Sequence, residues 1–435
     1  MRSVFAFSAL GSGIIDSERA AAFATIAVCL YIVGIPLPLE WDIPLLALAF
    51  IGVLAAGTRA RAGAARSSPL AVAVVVFLAA TGLSTLLSAN MTRSLKLSAP
   101  LLPGVVLFFL IAEYFDGTRQ IRRLYIAFSV VGLGVASALV SAAWWNPGIG
   151  STRLVATAGI PIIVVPNDAT FLALVSPLSL VLLYREPRGL IRGVAALSIL
   201  LSVAAVCVLQ SRTAVVTMVL CLGWAAAGLM GLRRALACAA AVVALGLVID
   251  AVLGFPLVAK FGRYQGWEGT GRIPLWLAAW GMFLRSPVLG HGPHAFVLSY
   301  LSYLPWLPID RRITPWPHNL YLEVLAEQGI VGFCALAALL ASGLGAAWRV
   351  QRTGTTEVRM FGAGACAAFV GFCAAAADEL TLLRVWVVVV LFTLLGVIAQ
   401  LRRQRAEETC SSGRARYVLA GRLGAGRAEA LDRFR

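Results

Sequence analysis

Long apolar runs separated by short polar joints dominate the chain from residue 20 to residue 401. The runs cover 20–35, 43–56, 69–87, 97–112, 124–143, 160–183, 190–209, 213–231, 235–252, 329–347, 361–377 and 383–401. A helix needs about 20 mostly apolar residues to cross a bilayer. Most of the runs therefore read as spans, about twelve in all, and only 43–56 and 97–112 are short enough to be re-entrant. The pattern predicts an all-α polytopic membrane protein. Composition agrees, because 13% charged residues is about half the share in a soluble domain. The first run lies among similar ones, so it is expected to stay as a span and not to be cleaved as a leader.

Charge sets the orientation. The net charge of +16 is almost all arginine, with Lys96 and Lys260 the only lysines. Alternate joints carry Arg59/Arg61/Arg66, Arg119/Arg122/Arg123, Arg185/Arg188/Arg192, Arg233/Arg234, Arg349/Arg352/Arg359 and Arg402/Arg403/Arg405. The positive-inside rule places these joints and both termini in the cytoplasm, as an even number of spans requires. A basic excess of this kind is topological. Membrane lipids are its expected partners, and nucleic acid is not. The cysteines are scattered through apolar runs and read as small buried hydrophobes. The tail 402–435, charged and without periodicity, reads as a disordered basic segment.

The outward joints are then 36–42, 88–96, 144–159, 210–212, 254–328 and 378–382. This divides the chain into nine spans (1–253), one large outer loop with short helices (254–328), three spans (329–401) and the tail (402–435). The long loop holds all three histidines, His291, His294 and His318, and five of the eleven tryptophans. A loop of that length in a compact protein is more often functional than idle. Within it, residues 272–283 set Trp276 and Trp280 four apart, which suits a helix lying in the interface with Arg272 at its start. His318 and Asn319 follow Pro315-Trp316-Pro317 and precede a run of good helix formers. They therefore belong at a helix N-terminus.

Basic residues placed on the outer side against the sorting rule point to an anionic ligand. They are Arg93, Lys96, Arg153, Arg212, Lys260, Arg263, Arg272, Arg285, Arg311 and Arg312. The plainer reading is that long loops escape the rule and that several of these arginines meet headgroups. Arg212 stands apart because it sits in a joint of two or three residues between apolar runs, where an arginine needs a partner or a hydrated cavity. The plain reading of Arg212 is snorkelling to the interface. Asn167 and Asp168 suit polar lining or a helix cap, and Asp378-Glu379 could pair with Arg384 or a loop arginine. No paired metal-ligand spacing and no P-loop occur, so the substrate must carry the energy of any reaction.

His318-Asn319, Leu322, and Glu327-x-Gly329-x-x-Gly332 resemble the signature of the O-antigen ligase and O-antigen polymerase superfamily. Arg272-x-x-x-Trp276, Ser286-Pro287-x-Leu289-Gly290-x-Gly292-Pro293, Ser211-Arg212-Thr213 and the stretch 84–110 are similar to further features of it. The resemblance spans roughly 80–335. It implies a helical membrane fold like that of the C-type glycosyltransferases, in the bacterial inner membrane with the active site periplasmic. It also implies transfer of O-antigen from undecaprenyl diphosphate to lipid A-core without metal or other cofactor.

In that chemistry His318 is the candidate base, and Arg212 and Arg272 are the cations on the departing diphosphate. Asn319, Lys96, Arg93, Arg153 and Glu323 are substrate-binding candidates, with Asn319 and Glu323 an i, i+4 pair. The competing view of His318 is structural, as a cap or a partner of a loop carbonyl. One late, large outer loop favours ligase over polymerase. The sequence also leaves open a protein O-oligosaccharyltransferase and a lipid-linked glycan transporter, although the internal repeats of a transporter are not apparent.

Overall fold

The computed structural model describes residues 21–36, 68–254, 256–262, 272–303 and 316–432, with side chains as far as Thr409. The described chain contains helices and no strands. In order they are α1 (Ala21–Gly34), α2 (Pro69–Leu86), α3 (Met91–Ser98), α4 (Leu101–Tyr114), α5 (Thr118–Trp145), α6 (Ser151–Ala158), α7 (Thr170–Arg185), α8 (Leu190–Leu209), α9 (Arg212–Met230), α10 (Leu232–Val252), α11 (Pro256–Gly262), α12 (Arg272–Arg285), α13 (Phe296–Ser299), α14 (Leu320–Arg352), α15 (Thr356–Ala376) and α16 (Val385–Asp432). A 3-10 turn, Pro166–Ala169, leads into α7.

Nine described helices are long and apolar enough to cross a membrane, or ten when α3 and α4, bent by 41°, form one broken span. The apolar α1 is shorter, and the expected span 43–56 lies outside the described residues, as do Arg263, Arg311 and Arg312. The centre of the bundle is α7, α15 and α16, with 78%, 72% and 83% of their apolar stretches buried. α10, at 11%, lies on the rim. A helix apolar all round and still exposed belongs in lipid. Between central helices the contacts include polar ones: the Ser129 and Ser179 hydroxyls meet at 2.8 Å, and the Tyr125 hydroxyl donates to the Phe361 carbonyl at 2.7 Å.

Both ends of the bundle are pinned by charge. At one end the Arg122 guanidinium holds both oxygens of Glu186 at 2.7 and 2.8 Å, and Arg185 bridges Glu186 and Glu357. The bonds from Arg122 keep the Glu186 carboxyl near 2 despite some burial. Arg403 closes the C-terminus of α4, donating to the carbonyls of Ala112 and Phe115 at 3.0 and 2.6 Å. The second charged group lies at the far ends of α7 and α15, about 30 Å away along helices of 20 residues.

Two boundaries differ from the sequence reading. The sixth span starts at Pro166, six residues later than expected, because α6 ends at Gly159 in a left-handed turn and Pro161 and Pro166 lack the N–H that a continuous helix would use. The helix expected after His318 and the span expected from residue 329 follow each other directly within α14 and part at Gly329 (φ 63°, ψ −164°), where the sequence placed their boundary. Beyond Arg402, where composition suggests disorder, α16 continues as helix to Asp432. Alanine, leucine, arginine and glutamate are all good helix formers, and they extend a helix already nucleated in the bundle.

Candidate active site

His318 has a left-handed backbone (φ 54°), which is costly for a residue with a side chain. It follows Pro317, whose carbonyl is held by the Trp276 indole N–H at 3.0 Å. It precedes Asn319, which caps α14: its side-chain oxygen takes the Leu322 N–H at 3.0 Å and its amide donates to the Ala377 carbonyl at 2.9 Å. Arg272 and Trp276 lie one turn apart on α12, so a single helical face fixes both Pro317 and the joint between α15 and α16.

That joint carries the hub. Glu379 is 5% exposed and receives three partners. His318 Nδ1 lies 3.1 Å from each of its oxygens, the Arg272 guanidinium is 2.9 Å away, and the Asn167 amide donates to it at 2.7 Å. Arg272 also bonds Asp378, whose other oxygen takes the Thr213 hydroxyl. The Ser211 hydroxyl reaches Asn167 Oδ1 at 3.3 Å. Ser211 and Thr213 thus tie the short joint between α8 and α9 into the cluster, with Arg212 between them. Beside Arg212, the Lys260 amine donates to the Gln210 carbonyl at 2.7 Å, and burial followed by the Arg212 guanidinium pulls its pKa down. Gln210 is itself left-handed (φ 55°).

The short helix α11 that carries Lys260 is anchored by Asp250, whose carboxylate takes the Leu257 and Val258 N–H groups at 2.8 and 2.9 Å. Leu257, Val258 and Phe261 of α11 also wall an apolar cavity of about 130 Å³ closed by Cys207, Met218 and Val242.

A second group of motif residues builds a joint between backbones. At the α14 break the carbonyls of Ala326 and Glu327 receive the N–H groups of His291 and Gly292, and Ile330 and Val331 donate to Pro287 and Val288. A side chain at Gly329 would sit 2.4 Å from the Val288 carbonyl, and one at Gly290 would sit 2.2 Å from the Glu327 backbone. The two glycine motifs therefore exist to let two backbones touch. Ser84 clamps the same place, donating to Leu289 O and Glu327 O at 2.8 and 3.0 Å, while Ser94 reaches Pro293 O at 2.9 Å. The Glu327 carboxylate takes the N–H groups of His294 and Phe296 at 2.7 and 3.0 Å.

The expected residues divide as follows. His318 and Arg272 meet at Glu379, and Arg212 lies between two residues bonded into that cluster. Glu323 is buried with one oxygen 3.3 Å from the Leu382 N–H, so it braces the 378–382 joint and does not face Asn319. Lys96 and Arg93 lie on the exposed face of α3 and Arg153 on that of α6. None of the three has a bond to the Glu379 cluster. Arg93 instead stands near His294, whose imidazole burial lowers to about 4 with Arg93 pushing the same way. His291 donates to the Met282 carbonyl at 2.9 Å, a packing role.

The residues missed as site members are Glu379, Asp378 and Asn167. The sequence offers Asn167 as polar lining and Asp378-Glu379 as partners of a loop arginine, and Arg272 is that arginine. Among the described residues no three His, Cys, Asp or Glu side chains gather as a metal ligand set, and the described cysteines are free.

These features define an all-α, multi-pass membrane protein with a histidine, carboxylate and arginine cluster where helix ends meet at one end of the bundle. Residues 196–337 match the family model described as O-antigen ligase, and the match supports O-antigen ligase family membership. The matched segment contains Arg212, Arg272, His318 and the Gly290–Gly329 contact, and it ends before Glu379. Comparison with curated proteins gives no match. The match supports a ligase- or polymerase-type activity in glycan transfer, with a lipid-linked glycan and a lipid acceptor as general substrates.

Proposed function

We propose that the protein is an O-antigen ligase that moves a glycan from undecaprenyl diphosphate to a sugar hydroxyl of lipid A-core, with His318 as general base. One observation carries this reading: the 3.1 Å pairing of His318 Nδ1 with the Glu379 carboxylate. An ionised carboxylate only accepts, so Nδ1 carries the proton and the lone pair stays on Nε2. Nε2 makes no hydrogen bond among the described residues, and the ring is one-quarter exposed. It is thus oriented and open to a hydroxyl.

The acceptor oxygen attacks the anomeric carbon opposite the diphosphate. As the new C–O bond forms, the bond to the diphosphate breaks and its electron pair leaves with the polyprenyl diphosphate. The hydroxyl proton passes to His318 Nε2, and Glu379 stabilises the imidazolium. The anomeric configuration inverts. The donor bond supplies the energy, so no metal or nucleotide takes part.

Arg212, joined by Lys260, meets the diphosphate, and the apolar cavity beside Lys260 suits part of the isoprenoid chain. Arg272 takes a role other than the one expected from sequence. Its guanidinium is spent on Asp378 and Glu379, so it positions the base. Asn319 and Glu323 shape the helix start and the 378–382 joint, while Arg93, Lys96 and Arg153 meet lipid or acceptor phosphates at the rim. In the membrane, the His318 end faces the periplasm within the loop 254–328, between spans 1–253 and 329–401. Both termini are cytoplasmic.

The test is an assay of purified wild type and His318→Ala with the lipid-linked glycan and lipid A-core, with neither metal nor ATP added. Glycan-extended lipid A-core from wild type only is the expected result. Lengthening of the glycan on its polyprenyl carrier would make the protein a polymerase. Full activity of His318→Ala would remove the base.

A further inference from the structure

Beside His318 lie two buried donors with nothing to bind. The Trp316 ring is 5.3 Å from the His318 ring, and the Arg384 guanidinium sits over the same indole at 4.7 Å. Trp316 is 7% exposed, and its indole N–H has no hydrogen-bond partner. The Nε of Arg384 is likewise buried and unpartnered, and no N–H of that guanidinium makes a hydrogen bond among the described residues, although the side chain is only 16% exposed.

The neighbouring acid does not account for it. Asp168 Oδ1 is 3.8 Å from Arg384 Nε, beyond hydrogen-bond range. Asp168 is already committed to the N–H groups of Val164 and Val165 at 2.8 and 3.0 Å and to the Trp386 indole at 3.2 Å. Trp386 packs on Phe171, so that acid cannot turn toward Arg384 without breaking a buried arrangement. Natural proteins leave few buried donors unpaired, and each one calls for an explanation. Here two lie together, one of them charged, next to the candidate base.

We infer that Arg384 and the Trp316 indole N–H form an oxyanion site that takes a phosphoryl group of a substrate. The inference rests on the transferase reading for the word substrate, while the site itself rests on the unpaired donors. A guanidinium seated over an aromatic ring has its place set before a ligand arrives and loses little freedom on binding, which suits a phosphoryl group's oxygens. Phosphoryl oxygens could come from the donor's diphosphate or from a phosphate on the acceptor lipid. Either would lie beside the indole that packs 5.3 Å from the His318 ring, so binding there also brings the substrate to the base.

The experiment uses full-length protein in detergent with Arg384→Gln, Arg384→Lys and Trp316→Phe. Binding of inorganic pyrophosphate is measured by calorimetry, and KM and kcat are measured for each substrate in turn. Losing a charge-assisted bond predicts binding weaker by about 10- to 100-fold in Arg384→Gln. Trp316→Phe keeps the ring and loses only the N–H, and a fall of about 3- to 10-fold is expected. Arg384→Lys should recover part of the loss. A raised KM confined to the lipid-linked glycan assigns the site to the diphosphate. One confined to lipid A-core, and absent when that acceptor is dephosphorylated, assigns it to the acceptor.

Unchanged pyrophosphate affinity and unchanged KM values in well-folded Arg384→Gln and Trp316→Phe overturn the site while leaving the transferase reading intact. Arg384-dependent binding by a wild type that transfers nothing keeps the site and overturns that reading.

Discussion

Replacing Glu379 by Gln keeps the shape of the hub and removes its charge. Glu379 receives His318 at 3.1 Å, Arg272 at 2.9 Å and Asn167 at 2.7 Å, all as donors to a carboxylate. An amide offers one oxygen for three donors and adds an NH2 that must point at one of them. Arg272 holds the oxygen most strongly, so the NH2 falls toward His318 and turns Nδ1 into an acceptor. The proton then sits on Nε2, and the base is lost. Positioned acid–base groups contribute about 10²- to 10⁴-fold, so kcat should fall by that factor while both KM values stay within about threefold. Two weakened charge-assisted bonds should also lower stability by about 2–4 kcal/mol. The assay is initial rate against each substrate, with circular dichroism to show that the variant is folded. Arg272→Gln should give the same phenotype, and the double variant should lose little more than either single one, because both act through the imidazole. A Glu379→Gln enzyme within about threefold of wild-type kcat would refute the reasoning, given an inactive His318→Ala.

Three further outcomes follow from the same geometry. Gly329→Ala forces a left-handed alanine against the Val288 carbonyl at 2.4 Å and should cost more than about 3 kcal/mol in detergent unfolding. A loss below about 1 kcal/mol would mean the two backbones can part easily. His294 is held to about 4, below the ordinary value, so the unfolded chain takes up the proton first as pH falls. Stability should therefore be whole above about pH 6.5 and drop by about 3 kcal/mol on the way to pH 4. His294→Gln should flatten that slope, and an identical slope would show that another group dominates. Glu186→Gln at the opposite end breaks the two-point contact with Arg122 and should lower stability by about 1–3 kcal/mol with transfer rates unchanged. A kcat loss there would mean that the two ends are coupled.

Most of the spans could be read from sequence because an apolar run of the right length has one stable home. His318, Arg212 and Arg272 stand out in sequence because His318 follows Pro315-Trp316-Pro317 and because the two arginines defy the sorting of basic residues. Glu379 does not. It stands 61 residues beyond His318 in a short joint with no periodicity, and its role comes only from folding, which brings the ends of α7, α12, α14 and α15 together. The glycines of residues 286–292 and 327–332 are visible in sequence as glycines. That each set exists to admit the other is a fact of packing, because the contact is backbone to backbone and leaves no side-chain pattern. Asp378-Glu379 were readable as partners of Arg384 or of a loop arginine; the loop arginine, Arg272, takes them, and Arg384 sits on Trp316.

That exchange of partners separates two uses of positive charge at one end of the bundle. A guanidinium bound to two carboxylates is neutralised and fixed, so it can orient an imidazole but attracts a diphosphate weakly. Were Arg272 to leave Glu379 for a substrate, His318 would lose the group that sets its tautomer at the moment the base is needed. Orientation and anion capture therefore fall to different cations. Arg272 with Asp378 and Glu379 keeps the base in place. Arg384 on Trp316 keeps its Nε–H and the indole N–H unpaired beside that base. Left-handed backbones occur at Gln210, next to the Ser211-Arg212-Thr213 joint, and at His318 itself. Strain of that kind persists only where surrounding bonds over-determine the geometry. Here those bonds are the Lys260 clamp on the Gln210 carbonyl, and on either side of His318 the Trp276 clamp on Pro317 and the Asn319 cap.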